Sequence, residues 1–283
     1  SNKCSDQSDY VFRSLEATDV DARWRMRGKG RTVSLRVTNE ALETHVIRQA
    51  NLLVVPRPAG GRVVHMNGVF HTITSPRPPT SCRAPEGDCL AAVRASDELE
   101  RSSLTDGKDL ATRETIELTF DRGRGGTRPA LVLEARQGFI TTYLFYQALA
   151  FMGRKAGHYL AELERGDADI RGKASELYHL LGGIEVQVES TPGVWQTAGT
   201  YLETGPLARE VQMIPLPTAG TGRLRLLMAR GHFRLGMVAL AELGDRVTPV
   251  RVPLARIATT AGDAALARRW VAGQAPQLVT LPG

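Results

Sequence analysis

Apolar and polar residues alternate with a period of two through much of the first half of the chain. "TVSLRVTN" sets Val33, Leu35 and Val37 against Ser34, Arg36 and Thr38, and "TIELTF" does the same with Ile116, Leu118 and Phe120. Successive strand side chains point to opposite faces, so this alternation marks half-buried strands. "NLLVVP" and "ALVLEA" are unbroken apolar runs closed by Pro56 and by Arg136–Gln137. Between the strands lie "RPAGGR", "SPRPPTSC" and "DRGRGGTRP", all rich in turn formers. Short strands with such punctuation predict an antiparallel β-sandwich over residues 10–137, behind a polar tether at 1–9.

The period then changes. Phe139, Tyr143, Tyr146 and Ala150 form one stripe at helical spacing, and Ile140, Leu144, Phe151 and Met152 form another. A helix apolar nearly all round is expected to be buried. An amphipathic piece follows Gly153, with Tyr159, Leu160 and Leu163 inward, and a third helix is expected from Gly172 to Leu181. Residues 138–182 therefore read as a helical connector. Strand signals return in "IEVQVES", "VWQTAGTYLE", "VQMIPLP", "RLRLLMA" and "FRLGMVALAEL", which predict a second sandwich or jelly roll over 183–256. Residues 257–283 read as one amphipathic helix and a last strand whose partner lies elsewhere, with the natural chain expected to continue. The whole is a mainly β protein with a helical insert: two antiparallel sandwich regions joined by a buried helical segment.

Cys82 and Cys89 flank "RAPEGD", a loop in which Pro85 and Gly87 allow the Cα atoms to approach within disulfide range. A zinc site asks for four Cys or His ligands at closer spacing, and a redox pair for Cys-x-x-Cys. The pair is read as a staple, worth about 2.5 kcal/mol by the chain-entropy account, with two reduced thiols or a metal clip as alternatives. Disulfides persist in oxidising compartments, so the expected location is extracellular, periplasmic or on a bacterial cell surface. Cys4, in "SNKCSDQSD", is read as a free thiol, an intermolecular bond or the lipidated cysteine of a bacterial lipoprotein. The last option requires Ser1–Lys3 to be foreign to the natural chain, and it supplies the expected contact with a membrane. The most apolar stretch, Gly138–Gly153, is short of the ~20 residues of a transmembrane span.

Composition changes this picture little. A formal charge of +6 on 283 residues is a mild excess. The densest basic cluster, "RWRMRGKGR", alternates as one polar face of a strand does, so nucleic acid is not expected as a partner. No nucleophile motif, phosphate loop or dinucleotide fingerprint is present, and no cofactor, metal ligand set or catalytic residue is assigned. "NEALETH" (Glu40, Glu43, His45) reads as the turn beyond a strand, and "RGD" at 165–167 as a helix end.

Four features between Gly183 and Leu243 carry a resemblance: "IEVQV", the Trp and Gly of "GVWQTAGT", "VQMIPLP" and "GRLRLLMARGHFRLGMVAL". Together they resemble a galactose-binding-like β-sandwich module. The resemblance implies glycan binding through loop aromatics and arginines, which here means Trp195, His232 and Arg234. Trp195 is otherwise a half-buried strand aromatic, and His232 a hairpin-tip residue without a role. The expected function is non-catalytic binding of a surface polymer such as a polysaccharide. A structural subunit that self-associates or docks on a protein partner is the alternative, and a hydrolase acting on a surface polymer is a second one.

Overall fold

The computed structural model describes residues 45–47, 51–55, 61–66, 69–121, 127–173, 183–202, 209–253, 255–258, 264–275 and 277–280. Cys4, the tether, Glu40 and Glu43 lie outside these residues, as does most of the helix expected at 172–181. Two compact units divide the chain: Ser1–Tyr10 with Arg57–Val247, and Val11–Pro56 with Thr248–Gly283.

In the smaller unit β1 (His45–Ile47) pairs antiparallel with β16 (Leu278–Thr280), and β2 (Asn51–Val54) with β15 (Val250–Pro253). Helix α5 (Ala264–Val271) turns its apolar side inward, so that Trp270 packs with Ala275 and Leu278. The last strand thus finds its partner near the start of the chain.

The larger unit is a sandwich of two six-stranded sheets. The first runs in the order β11 (Val194–Tyr201), β10 (Ile184–Thr191), β13 (Arg223–Ala229), β8 (Arg113–Thr119), β5 (Ser81–Ala84) and β6 (Gly87–Asp88). The second runs β4 (Val69–Arg77), β3 (Arg62–Met66), β12 (Glu210–Pro215), β9 (Pro129–Gln137), β14 (Phe233–Val247) and β7 (Arg101–Ser102). Among the described residues only the brief β12–β3 contact is parallel. The mainly β, antiparallel reading holds. The expected boundaries at 137 and 182 do not, because each sheet draws strands from both sides of the helical segment: β11, β10 and β13 beside β8, β5 and β6 in the first, and β12 and β14 interleaved with β3, β9 and β7 in the second. The sequence places strands along the chain but carries no signal of which strand lies beside which; burial of both inner faces decides that here.

The second sheet curls until β14, already paired with β9, also pairs with β4. Five strands close around a small core of Val64, Ile73, Ala130, Val132, Met213, Ala239, Ala241 and Leu243. Strand β9 is therefore buried on both faces. Leu131, Leu133 and Ala135 face the main core between the sheets, while Ala130 and Val132 face the closed ring. That is why "ALVLEA" does not alternate. In β14 a bulge at Leu235/Met237 shifts the phase, so Phe233, Leu235 and Val238 meet the main core and Ala239, Ala241 and Leu243 the ring. Gly236 sits at that bulge, where a Cβ would come within 2.9 Å of a Glu134 carboxylate oxygen.

Cys82 and Cys89 form a disulfide with a Cα–Cα distance of 5.1 Å. It ties β5 to the start of the short helix α1 (Leu90–Val93), and both cysteines join the main core. The staple reading is thus borne out. The helical segment comprises α2 (Phe139–Met152), a 3-10 turn at Gly153–Lys155, α3 (Ala156–Arg165) and α4, described over 168–173. "RGD" bridges two helices: Gly166 ends α3 with a left-handed φ of 88°, and Asp167 Oδ1 accepts the Ile170 N–H at 3.0 Å, capping α4. Helix α2 is exposed along Phe139, Tyr143 and Tyr146, where burial was expected. Its other stripe is only half-buried at Ile140, Leu144 and Met152, because α2 packs chiefly against the short α3.

Candidate functional site

The outer face of the first sheet carries an ordered array of polar side chains. Residues that alternate outward on each strand fall into register as a row: Thr197, Gln187, Arg225, Glu117, Arg83 and Asp88, one from each of the six strands. Neighbouring strands lie ~4.8 Å apart, so the row presents donors and acceptors at nearly even intervals.

Trp195 lies at one end of this face. The turn Thr191–Val194 places it: Pro192 supplies the fixed φ of the first corner, and Gly193 the left-handed φ of 81° at the second. The Trp195 ring is half-buried and reaches across β10 to two arginines of β13. The Arg225 guanidinium carbon stands 4.4 Å from a ring centroid and that of Arg223 5.6 Å. Both are within cation–π range. Arg225 Nε also donates to Gln187 Oε1 at 2.5 Å, and Arg223 Nη1 to Glu189 Oε1 at 3.0 Å. The strand "RLRL" puts both arginines on one face because it alternates.

Carboxylates beside the arginines are held below the usual carboxylate range. The Thr221 hydroxyl holds Glu189 below the usual carboxylate range, helped by the Gly193 N–H at 3.0 Å and by Arg223. Glu185 is lowered by the Thr197 hydroxyl and the Gln187 amide, each at 2.7 Å, with Arg113 and Arg225 adding charge. Neither is held protonated at neutral pH, as the general acid of a glycosidase has to be.

At its far end the row opens into a cleft of about 580 Å³, lined by Arg83, Arg113, Arg230, Glu114 and Glu117 among others. Arg230 Nε is buried there and finds no hydrogen-bond partner among the described residues. Glu114, which also lines the cleft, is committed to Arg101 at 2.6 and 2.7 Å and to the Ser103 hydroxyl at 2.8 Å. Among the described residues no three His, Cys, Asp or Glu side chains gather so as to hold a metal ion.

Of the residues singled out in the sequence, Trp195 lies on this face. His232 is fully enclosed in the turn between β13 and β14. Burial holds its imidazole below its ordinary range, against a hydrogen bond with the Leu110 backbone that acts in the other direction. Arg234 lies on β14 in the opposite sheet, 4.0 Å from Glu100, a carboxylate that Arg136 and Arg209 also engage. The three do not come together. Sequence reasoning missed Arg223, Arg225, Gln187 and Glu189 as the company of Trp195. The alternation of "RLRL" is visible in the sequence, but its pairing with β10 and the reach of Trp195 across that strand are not. Comparison of the chain with known protein families, curated proteins and solved structures finds no match.

Proposed function

We propose that the protein is a non-catalytic binding protein of the bacterial cell exterior, and that it holds an acidic surface polymer, a polysaccharide carrying carboxylates, against the outer face of its first sheet. The observation that supports this reading most is the pairing of Trp195 with Arg223 and Arg225 on an open sheet face. A flat aromatic suits the apolar side of a sugar ring, and a guanidinium suits a carboxylate bidentately. The polar row extends the contact along a chain of repeating units, and the arginines of the cleft give an acidic chain a second point of charge. An open face suits a polymer better than a deep pocket suits it, since successive residues of the polymer can each make a modest contact. The galactose-binding-like resemblance of 183–243 agrees with it. So does the disulfide, which fits an oxidising compartment.

Affinity electrophoresis through gels containing polygalacturonate tests the reading. The native protein is expected to be retarded, more at low salt than at high, and far less by neutral dextran. Trp195→Ala and Arg225→Gln are each expected to weaken retention about tenfold, the loss of ~1–2 kcal/mol of stacking or charged hydrogen bonding. Equal mobility in all gels, or variants retarded as strongly as the native chain, would overturn it.

A further inference from the structure

A second surface, on the helical segment, asks for a different partner and does not depend on the polymer reading. Helix α2 carries no charged residue over its 14 positions. Helices with this pattern are normally enclosed, yet Phe151 is 94% exposed, Phe139 68%, Tyr143 57% and Tyr146 46%. Phe139, Tyr143 and Tyr146 form one exposed stripe, and Phe151 stands exposed on the other stripe at the end of the helix, beside Arg154 and Lys155; exposed aromatics in this number mark a surface that another body covers.

Charge identifies that body. From Phe139 to Ala161 the chain has no acidic residue, while Arg154 and Lys155 stand exposed in the turn that follows α2, and His158 is exposed one turn later. The acidic residues Glu162, Glu164, Asp167 and Asp169 come only after that stretch; Glu162 pairs with Arg165, Asp169 with Lys173, and Asp167 accepts the Ile170 N–H. The surface is thus apolar and aromatic, with a basic end. A protein partner matched to it would need an apolar groove with an acidic rim. A second copy using the same patch brings Arg154 and Lys155 and no acidic residue to answer them. A bilayer with anionic headgroups supplies both components at once: hydrocarbon for the phenylalanines, the interface for the tyrosines, and phosphates for Arg154 and Lys155. A helix of this length measures about 21 Å, short of the ~30 Å hydrocarbon core. Among the described residues no helix is long and apolar enough to cross a membrane. We infer that α2 lies in the plane of an anionic lipid surface and docks the protein there without spanning it.

Co-sedimentation of the full chain with vesicles tests this, with Cys4→Ser present so that no lipid at that position contributes. Mixed phosphatidylcholine–phosphatidylglycerol vesicles are expected to carry the protein down, and phosphatidylcholine alone much less of it. Phe151→Glu is expected to weaken partitioning by about tenfold or more, and Arg154→Gln by about fivefold in the mixed vesicles only. Phe151 is nearly free of the fold, so thermal unfolding of Phe151→Glu should match the parent; if it does not, Tyr143→Ser serves in its place. The inference is overturned if the protein stays in the supernatant with both vesicle types, or if neither apolar variant changes its partitioning. It is also overturned if sedimentation velocity shows a dimer that Phe151→Glu dissociates while vesicles leave the protein in solution. Loss of polygalacturonate binding alone leaves these outcomes untouched.

Discussion

Arg101 shows how the larger unit tolerates charge in its interior. The side chains of Arg101 and Glu114 are 4% and 1% exposed. Five hydrogen bonds bind the group: Arg101 gives two to Glu114 and two to Glu86, and Ser103 gives one to Glu114. Removing one member strands a buried charge, so Arg101→Ala is expected to cost about 3–5 kcal/mol in urea unfolding, whereas the double replacement Arg101→Met with Glu114→Met should recover much of that loss. His232 makes the complementary case, a base buried in its neutral form. Its unfolded-state value is 6.5 and its folded value lies lower. Between the two the unfolded chain binds more protons, so stability falls as pH drops below 6.5. Thermal unfolding across pH 7 to 5 should show this decline, and His232→Gln should flatten it. Both residues carry polar labels in the sequence; only their burial reveals what they do.

Among the elements, those with a clean period were the most legible. Strands β8, β10 and β13 alternate because one face meets the main core and the other meets water, and each appears where the pattern predicts it. Strands β9 and β14 hide their alternation because the ring and the main core bury both faces. Helix α2 was legible as a helix, and its surroundings were not. Burial is a property of neighbours, and the neighbours of α2 are few. The disulfide was read from the turn formers between its cysteines and lies between two elements that hold few other mutual contacts. Replacing Cys82 and Cys89 by serine should lower stability by about 2–3 kcal/mol, read as a shift of the urea midpoint with the fold retained. In the candidate site Trp195 was legible as an aromatic beside a turn. Its two arginines were not, because β10 and β13 meet through a pairing separated by a long stretch of chain.

At the scale of the whole molecule, the antiparallel β class followed from pattern, while the partition into domains did not. A boundary placed at the helical segment treats it as a hinge between independent halves, yet the sheets draw strands from both halves and the helices project as an excursion from a single sandwich. The smaller unit shows the same interleaving at larger range. Its strands β2 and β15 flank the segment Arg57–Val247 of the larger unit in sequence, and only Thr248–Pro249 separate β14 from β15. This arrangement fixes an order of assembly. As the chain emerges from a ribosome or a translocation channel, β1 and β2 come out early and have no partners to pair with. The sandwich can form as soon as β14 is available. Once it has, the long loop that β2 and β15 must close is already compacted, and the entropic cost of that closure is largely removed. Strands β1 and β2 therefore wait without their partners until β15 and β16 arrive, and it is in this interval that the chain is most open to a chaperone or a protease.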